Sequence, residues 1–147
     1  MSIKDKITDA KVLYTNGRKE GALLSILVAV AATSRKRYPL GTKNDGDAFT
    51  SFLAEELPKV IRVKHFNVKY RNEMILLQDL LYKFVRCNLT HEANIPEDIK
   101  FETSDQLFVR VDDDCITFSD RLIDVLATVV SNAEENKNEF AEVTTNE

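Results

Sequence analysis

Ile3, Ile7, Ala10 and Tyr14 recur at three- and four-residue steps, the spacing of one helix face. Ser2 stands where a cap belongs and Asn16-Gly17 where a stop belongs, so the pattern predicts a first helix to about Thr15. A second helix is expected from Arg18 to about Arg37, ended by Pro39 because the residue before proline disfavours helical geometry. Its middle is apolar on nearly every side, which predicts a central position. Its Gly21, Ala22, Ala29, Ala31 and Ala32 leave room for a close neighbour. Asp47 is expected to cap a third helix through Phe49, Phe52, Leu53 and Leu57, with Pro58 kinking or ending it. A fourth helix is expected from about Asn72, carrying Met74, Leu77, Leu80, Leu81 and Phe84. After His91 the period shortens. Residues 99–102, 107–111 and 116–118 have strand composition, with Asp112-Asp113-Asp114 as the turn of a hairpin. Ser119 then caps a last helix through Leu122, Leu126 and Val130. The expected fold is mainly α, a bundle of about four to five helices with a small β-hairpin inserted before the last helix. The domain is expected to span residues 1–131, and residues 132–147 to form a frayed, polar, acidic tail.

Composition sharpens this picture in two ways. With 147 residues, 44% apolar and 30% charged, the chain suits a single soluble domain. The apolar run Gly21–Ala32 is shorter than the roughly 20 residues a bilayer requires, and the segment before it is helical and carries acids, unlike an export signal. Cys87 and Cys115 have no zinc or CxxC spacing. These features predict a reduced, cytoplasmic protein with no membrane partner, no metal site and no cofactor. The aspartate run lacks the glycine and terminal glutamate of a calcium loop, and no glycine-rich phosphate loop or Gly-x-Ser-x-Gly elbow is present.

The net charge of −4 opposes broad attraction to nucleic acid, but the charge is unevenly spread. From Leu57 to Asn72 there is no acidic residue, and Lys64, His65, Lys69 and Arg71 alternate with Phe66 and Tyr70. Cations interleaved with aromatics suit single-stranded RNA or a nucleotide. A solvated loop with two core aromatics is the competing account. Arg35, Lys36 and Arg37 form a second basic knot.

The stretch Leu80-Leu81-Tyr82-Lys83-Phe84-Val85-Arg86-Cys87-Asn88-Leu89-Thr90-His91-Glu92 carries the candidate chemistry. A guanidinium holds phosphate with a planar fork of donors, and an imidazole exchanges protons near neutral pH. On an unbroken helix Arg86 and His91 stand about 140° apart, so one small group does not bridge them unless the helix ends between them or a second copy supplies one of the pair. Ile75, Tyr82 and Leu89, spaced by seven, form an apolar seam beside Arg86. It suggests a homodimer interface, with burial inside the monomer as the alternative.

This stretch resembles the signature of the HEPN superfamily, small helical domains in which an arginine, a few intervening residues and a histidine end an apolar helix. The resemblance implies a metal-independent endoribonuclease acting as a dimer on single-stranded RNA. Arg86 would bind the scissile phosphate, and His91 would move the proton of the 2′-hydroxyl or of the leaving oxygen. The products would be a 2′,3′-cyclic phosphate and a 5′-hydroxyl. The polar residue that commonly follows the arginine is replaced by Cys87, with Asn88 one place later as the candidate amide, and a thiol is a poor substitute for an amide donor. Implied partners are a second copy, RNA or a nucleotide, and a cognate protein inhibitor. Some members of the superfamily are non-catalytic nucleotide- or protein-binding modules, a reading that demands nothing of Cys87. A helical domain with no site at this segment is the third possibility.

Overall fold

Ser2 and Asp5 cap each other. The Asp5 backbone N–H donates to Ser2 Oγ at 3.0 Å, and the Ser2 N–H donates to the Asp5 carboxylate at 3.0 Å. This reciprocal box starts α1 (Ile3–Thr15), and Gly17, at φ +75°, turns the chain out of it. The computed structural model describes residues 2–141. The chain then enters α2 (Lys19–Arg37), whose Ala22, Leu27, Ala29 and Val30 are fully buried. α2 lies centrally, packed against α1, α3 (Asp45–Ile61) and α5 (Arg121–Asn132).

Three expected boundaries move: Asp120 rather than Ser119 precedes α5, with Ser119 ending a strand and its Oγ accepting from the Arg121 N–H at 3.1 Å, and both ends of α3 differ. Asn44 rather than Asp47 caps α3, its side chain accepting from the Asp47 N–H at 2.8 Å. Pro58 does not end the helix, which runs on to Ile61 and stops only when Arg62 turns left-handed at φ +60°.

The larger correction lies in residues 67–76. The fourth helix does not begin at Asn72. β1 (Asn67–Tyr70) and β2 (Glu73–Leu76) form an antiparallel hairpin instead. Arg71 and Asn72 make its two-residue turn at φ +51° and +66°, the left-handed pair that matches strand twist. The basic window is therefore partly a strand. It buries Val68 and Tyr70 and exposes Lys69.

A helix follows directly in three segments, together α4: an α turn Leu77–Leu80, a π-helical stretch Leu81–Arg86 and an α turn Cys87–His91. The Cys87 N–H donates to the Tyr82 carbonyl, five residues back, the widened bond of a π bulge.

β3 (Ile99–Glu102), β4 (Val109–Val111) and β5 (Ile116–Ser119) form a second sheet in the order β3–β5–β4. β4 and β5 are the expected hairpin, with Val111 opposite Ile116, and β3 adds a parallel strand. β5 is central and buried at all four positions, so it lacks the alternation of a half-exposed strand. The architecture is thus mainly α with two small sheets. Among the described residues no helix is long and apolar enough to cross a membrane.

The packed domain continues past residue 131. Ala133 and Asn136 are buried, Glu134–Asn136 forms a 3-10 turn, and α6 (Lys137–Ala141) follows. Asn136 Nδ2 donates to Thr33 Oγ1 and to the Val130 carbonyl, both at 2.9 Å, and its Oδ1 accepts from Lys36 at 3.0 Å. Arg37 grips Glu135 through two N–H groups at 2.8 and 2.9 Å. The Glu139 carboxylate accepts from the Lys4 N–H at 3.0 Å, a negative charge placed at the positive end of α1. The expected acidic tail is therefore fastened along residues 133–141, and only its last six residues lie outside the described part.

Candidate functional site

Arg86 closes the π-helical stretch and reaches a cleft of about 290 Å³ between α2, α3 and α4. Val28, Ala31 and Ala32 of α2 and Phe49 of α3 give the cleft an apolar floor. The Arg86 guanidinium carbon stands 5.3 Å from the centroid of the Tyr82 ring, a cation–π arrangement. Tyr82 in turn packs on Phe49, ring centroids 5.3 Å apart. No carboxylate pairs with Arg86 among the described residues, although Asp45 is near enough for Arg86 to contribute to holding its carboxyl low. The dominant cause of that lowering is Arg35, which hydrogen-bonds Asp45 through Nε at 2.9 Å and through a second N–H. Arg35 also donates to the carbonyls of Tyr38 and Lys43 at 3.1 and 2.7 Å. The cleft therefore holds one committed cation, Arg35, and one uncommitted cation, Arg86.

The other members of the Arg86–His91 segment face elsewhere. The helix does not end between Arg86 and His91, so the pair stands about 140° apart on one continuous helix. His91 is exposed at its end, outside the cleft lining. Asn88 is half-buried, and its carbonyl accepts from the Glu92 N–H at 2.7 Å. Helical spacing from Leu77 and Leu81 would carry the core-facing stripe on through Asn88 and His91, but neither is buried. That stripe is Leu77, Leu81, Val85 and Leu89, because the π turn shifts the phase of the helix.

The apolar seam is accounted for within the monomer. Leu89 is buried, Tyr82 lies on Phe49, and Ile75 belongs to β2 and packs against the core. The seam therefore carries no argument for a dimer.

The basic window divides. Lys64 and His65 are exposed on the loop between α3 and β1, and Lys69 is exposed on β1. Arg71 is committed. Its Nε donates to Asp98 at 2.8 Å, and its guanidinium lies over Tyr70 and Phe84, 4.8 and 5.2 Å from the centroids. Phe66 is half-buried against the core and Tyr70 is buried, so Tyr70 offers no free face for stacking a base and Phe66 only part of one. Lys69 and Arg71 line a separate cleft of about 420 Å³ with Asp98 and Asp112–Asp114, where opposite charges sit side by side. The second basic knot is also spent internally: Arg35 on Asp45, Lys36 on Asn136 and Glu139, and Arg37 on Glu135 and Glu56.

Tyr82, expected on a seam facing either a second copy or the monomer's own core, lies beneath Arg86. Among the described residues, no group of three or more His, Cys, Asp or Glu side chains is arranged to hold a metal ion.

No curated protein and no solved structure matches the chain. The model of the Rv1289 family matches residues 2–146, nearly the whole length. The chain therefore belongs to the Rv1289 family.

Proposed function

We propose that this chain is a HEPN-like helical binding module that holds a phosphate ester, a nucleotide or the end of a single-stranded RNA, in the Arg86 cleft. The observation that carries the reading is Arg86 itself, an arginine without a counter-ion among the described residues, set over an aromatic ring at the rim of an apolar cleft. Lying over Tyr82 and paired with no carboxylate among the described residues, the guanidinium has N–H donors to offer a phosphate. The floor of Val28, Ala31 and Ala32 suits the apolar body of a nucleoside, and the volume is near the lower limit of small-ligand sites. The spacing of Arg86 and His91 on one apolar helix supports the HEPN-like reading of the bundle.

The test is titration with 5′-AMP and with a short single-stranded RNA. Arg86→Ala should weaken binding about tenfold or more, the scale of a charge-assisted pair, and Arg86→Lys should restore only part of it. Affinity that is unchanged in Arg86→Ala would remove the reading.

A second reading is RNA cleavage. It is favoured by His91, which is exposed at the end of the same helix with no hydrogen-bond partner for its ring among the described residues. Because Arg86 and His91 diverge within one chain, this reading requires a homodimer in which each site joins Arg86 of one copy to His91 of the other. Cleavage of single-stranded RNA without divalent metal, abolished in His91→Ala, would favour it. Full activity in His91→Ala would exclude it. A cognate protein inhibitor belongs to this reading alone.

A further inference from the structure

Gly46 lies in the first turn of α3, where alanine is the better helix former. Its φ is not left-handed, so backbone conformation does not require glycine there. The space does. A Cβ at residue 46 would stand 3.0 Å from Tyr82 Cε2 and 3.3 Å from Cζ, tighter than ordinary carbon contact at about 3.5–4.0 Å. The Tyr82 ring is thus bounded by Gly46 at its edge, by Phe49 at 5.3 Å and by Arg86 over its face.

We infer that Gly46 is the positioning residue of the Arg86 cleft: the missing side chain lets the Tyr82 ring lie against α3, and that ring sets where the Arg86 guanidinium stands. The inference rests on the reading of Arg86 as the anion anchor. It adds that the anchor's geometry is determined on another helix, α3, by a residue that does not touch the ligand. A Cβ at residue 46 requires the Tyr82 ring to give by a few tenths of an ångström, and a longer side chain by more, so the guanidinium that lies over the ring loses its present seat. The upper limit of the effect is loss of the cation–π platform, about fivefold in affinity at a partly exposed site.

The experiment compares wild type, Gly46→Ala, Gly46→Val and Tyr82→Ala with and without Gly46→Ala. In ligand-free protein, the proton resonances of the Arg86 side chain report the Tyr82 ring current. They should move toward unstacked values in Gly46→Ala and further in Gly46→Val. Affinity for 5′-AMP should fall about twofold and about fivefold respectively. Gly46→Ala should keep a cooperative thermal transition, so that the resonance shift reports the position of the ring rather than loss of the fold. In the Tyr82→Ala background, Gly46→Ala should leave Arg86 unmoved. Unshifted Arg86 resonances in both Gly46 variants would overturn the inference, and AMP binding by wild type would then still uphold the anion reading. Shifted resonances together with no AMP binding by wild type would sustain the positioning role and remove the anion reading instead.

Discussion

Arg86 lies over the ring of Tyr82, with its guanidinium carbon 5.3 Å from the ring centroid, and pairs with no carboxylate among the described residues. The two residues lie on the π-helical stretch Leu81–Arg86, so the widened turn sets how one stands over the other. Replacing Tyr82 by leucine keeps apolar bulk on Phe49 but removes the ring face. Phosphate-ester affinity should then fall about two- to fivefold, and Tyr82→Leu should cost almost nothing further once Arg86→Ala has removed the anchor. Titration of the two single variants and the double variant checks this. Strictly independent losses would contradict the coupling.

Asp120 is the most deeply enclosed carboxylate of the fold, at 0% exposure. Burial by itself would raise its carboxyl, but hydrogen bonds from Tyr14, Lys19 and the Ser104 N–H hold it below its ordinary value. Tyr14 donates at 2.8 Å, and that bond is the main reason its own hydroxyl is pushed up to about 12. A carboxyl whose folded value lies below the unfolded one contributes stability that is fully present above the ordinary value of 3.8 and is lost as pH falls through the lower folded value. Asp120→Ala should cost about 3 kcal/mol at pH 7 and flatten the acid side of the stability curve below about pH 4. Urea unfolding across a pH series reads both effects. An unchanged acid limb in the variant would contradict the assignment.

Asn136 fastens the C-terminal segment through three hydrogen bonds to Thr33, Val130 and Lys36. Asn136→Ala should destabilise the protein by about 2 kcal/mol and speed amide exchange across Lys137–Ala141. Exchange that is faster throughout the molecule, with no preference for that helix, would show that Asn136 is not a local clasp.

The Arg71-Asn72 turn needs two left-handed residues. Asn72→Val should cost about 1–2 kcal/mol, the penalty of a side chain in that region, whereas Asn72→Gly should change stability by less than about 0.5 kcal/mol. Equal stability of the two variants in thermal unfolding would mean that the turn relaxes to another form.

The helices α1, α3 and α5 were legible because each keeps one apolar face at helical spacing, as from Ser2 to Gly17, and α2 because a long apolar run lies between Gly17 and Pro39. The β4–β5 hairpin was legible from its strand composition and its aspartate turn. The β1–β2 hairpin was hidden because Arg71-Asn72 carries no glycine, and because Met74, Ile75 and Leu76 continue smoothly into the helix that starts at Leu77. The π turn at Leu81–Arg86 leaves no mark in composition. Helical arithmetic therefore set Tyr82 and Leu89 on one outward seam, although one lies on Phe49 and the other in the core. The C-terminal segment reads as a solvated tail because what holds it is a set of polar contacts from Asn136, Glu135 and Glu139 rather than an apolar stripe. Of the candidate site, Arg86 was legible only as a candidate phosphate ligand. Its platform Tyr82 and the gap at Gly46 depend on the packing of α3 against α4, which sequence spacing does not encode.

The most direct test of the Arg86 cleft is a titration of isotope-labelled protein with 5′-AMP, followed through the Arg86 side-chain Nε–H and the backbone amides. The expected result is saturable movement of the Arg86 signal together with amides of Val28, Ala31 and Tyr82, weakened by salt and lost in Arg86→Ala. Perturbations confined to Lys64, His65 and Lys69, or an Arg86 signal that never moves, would contradict the account.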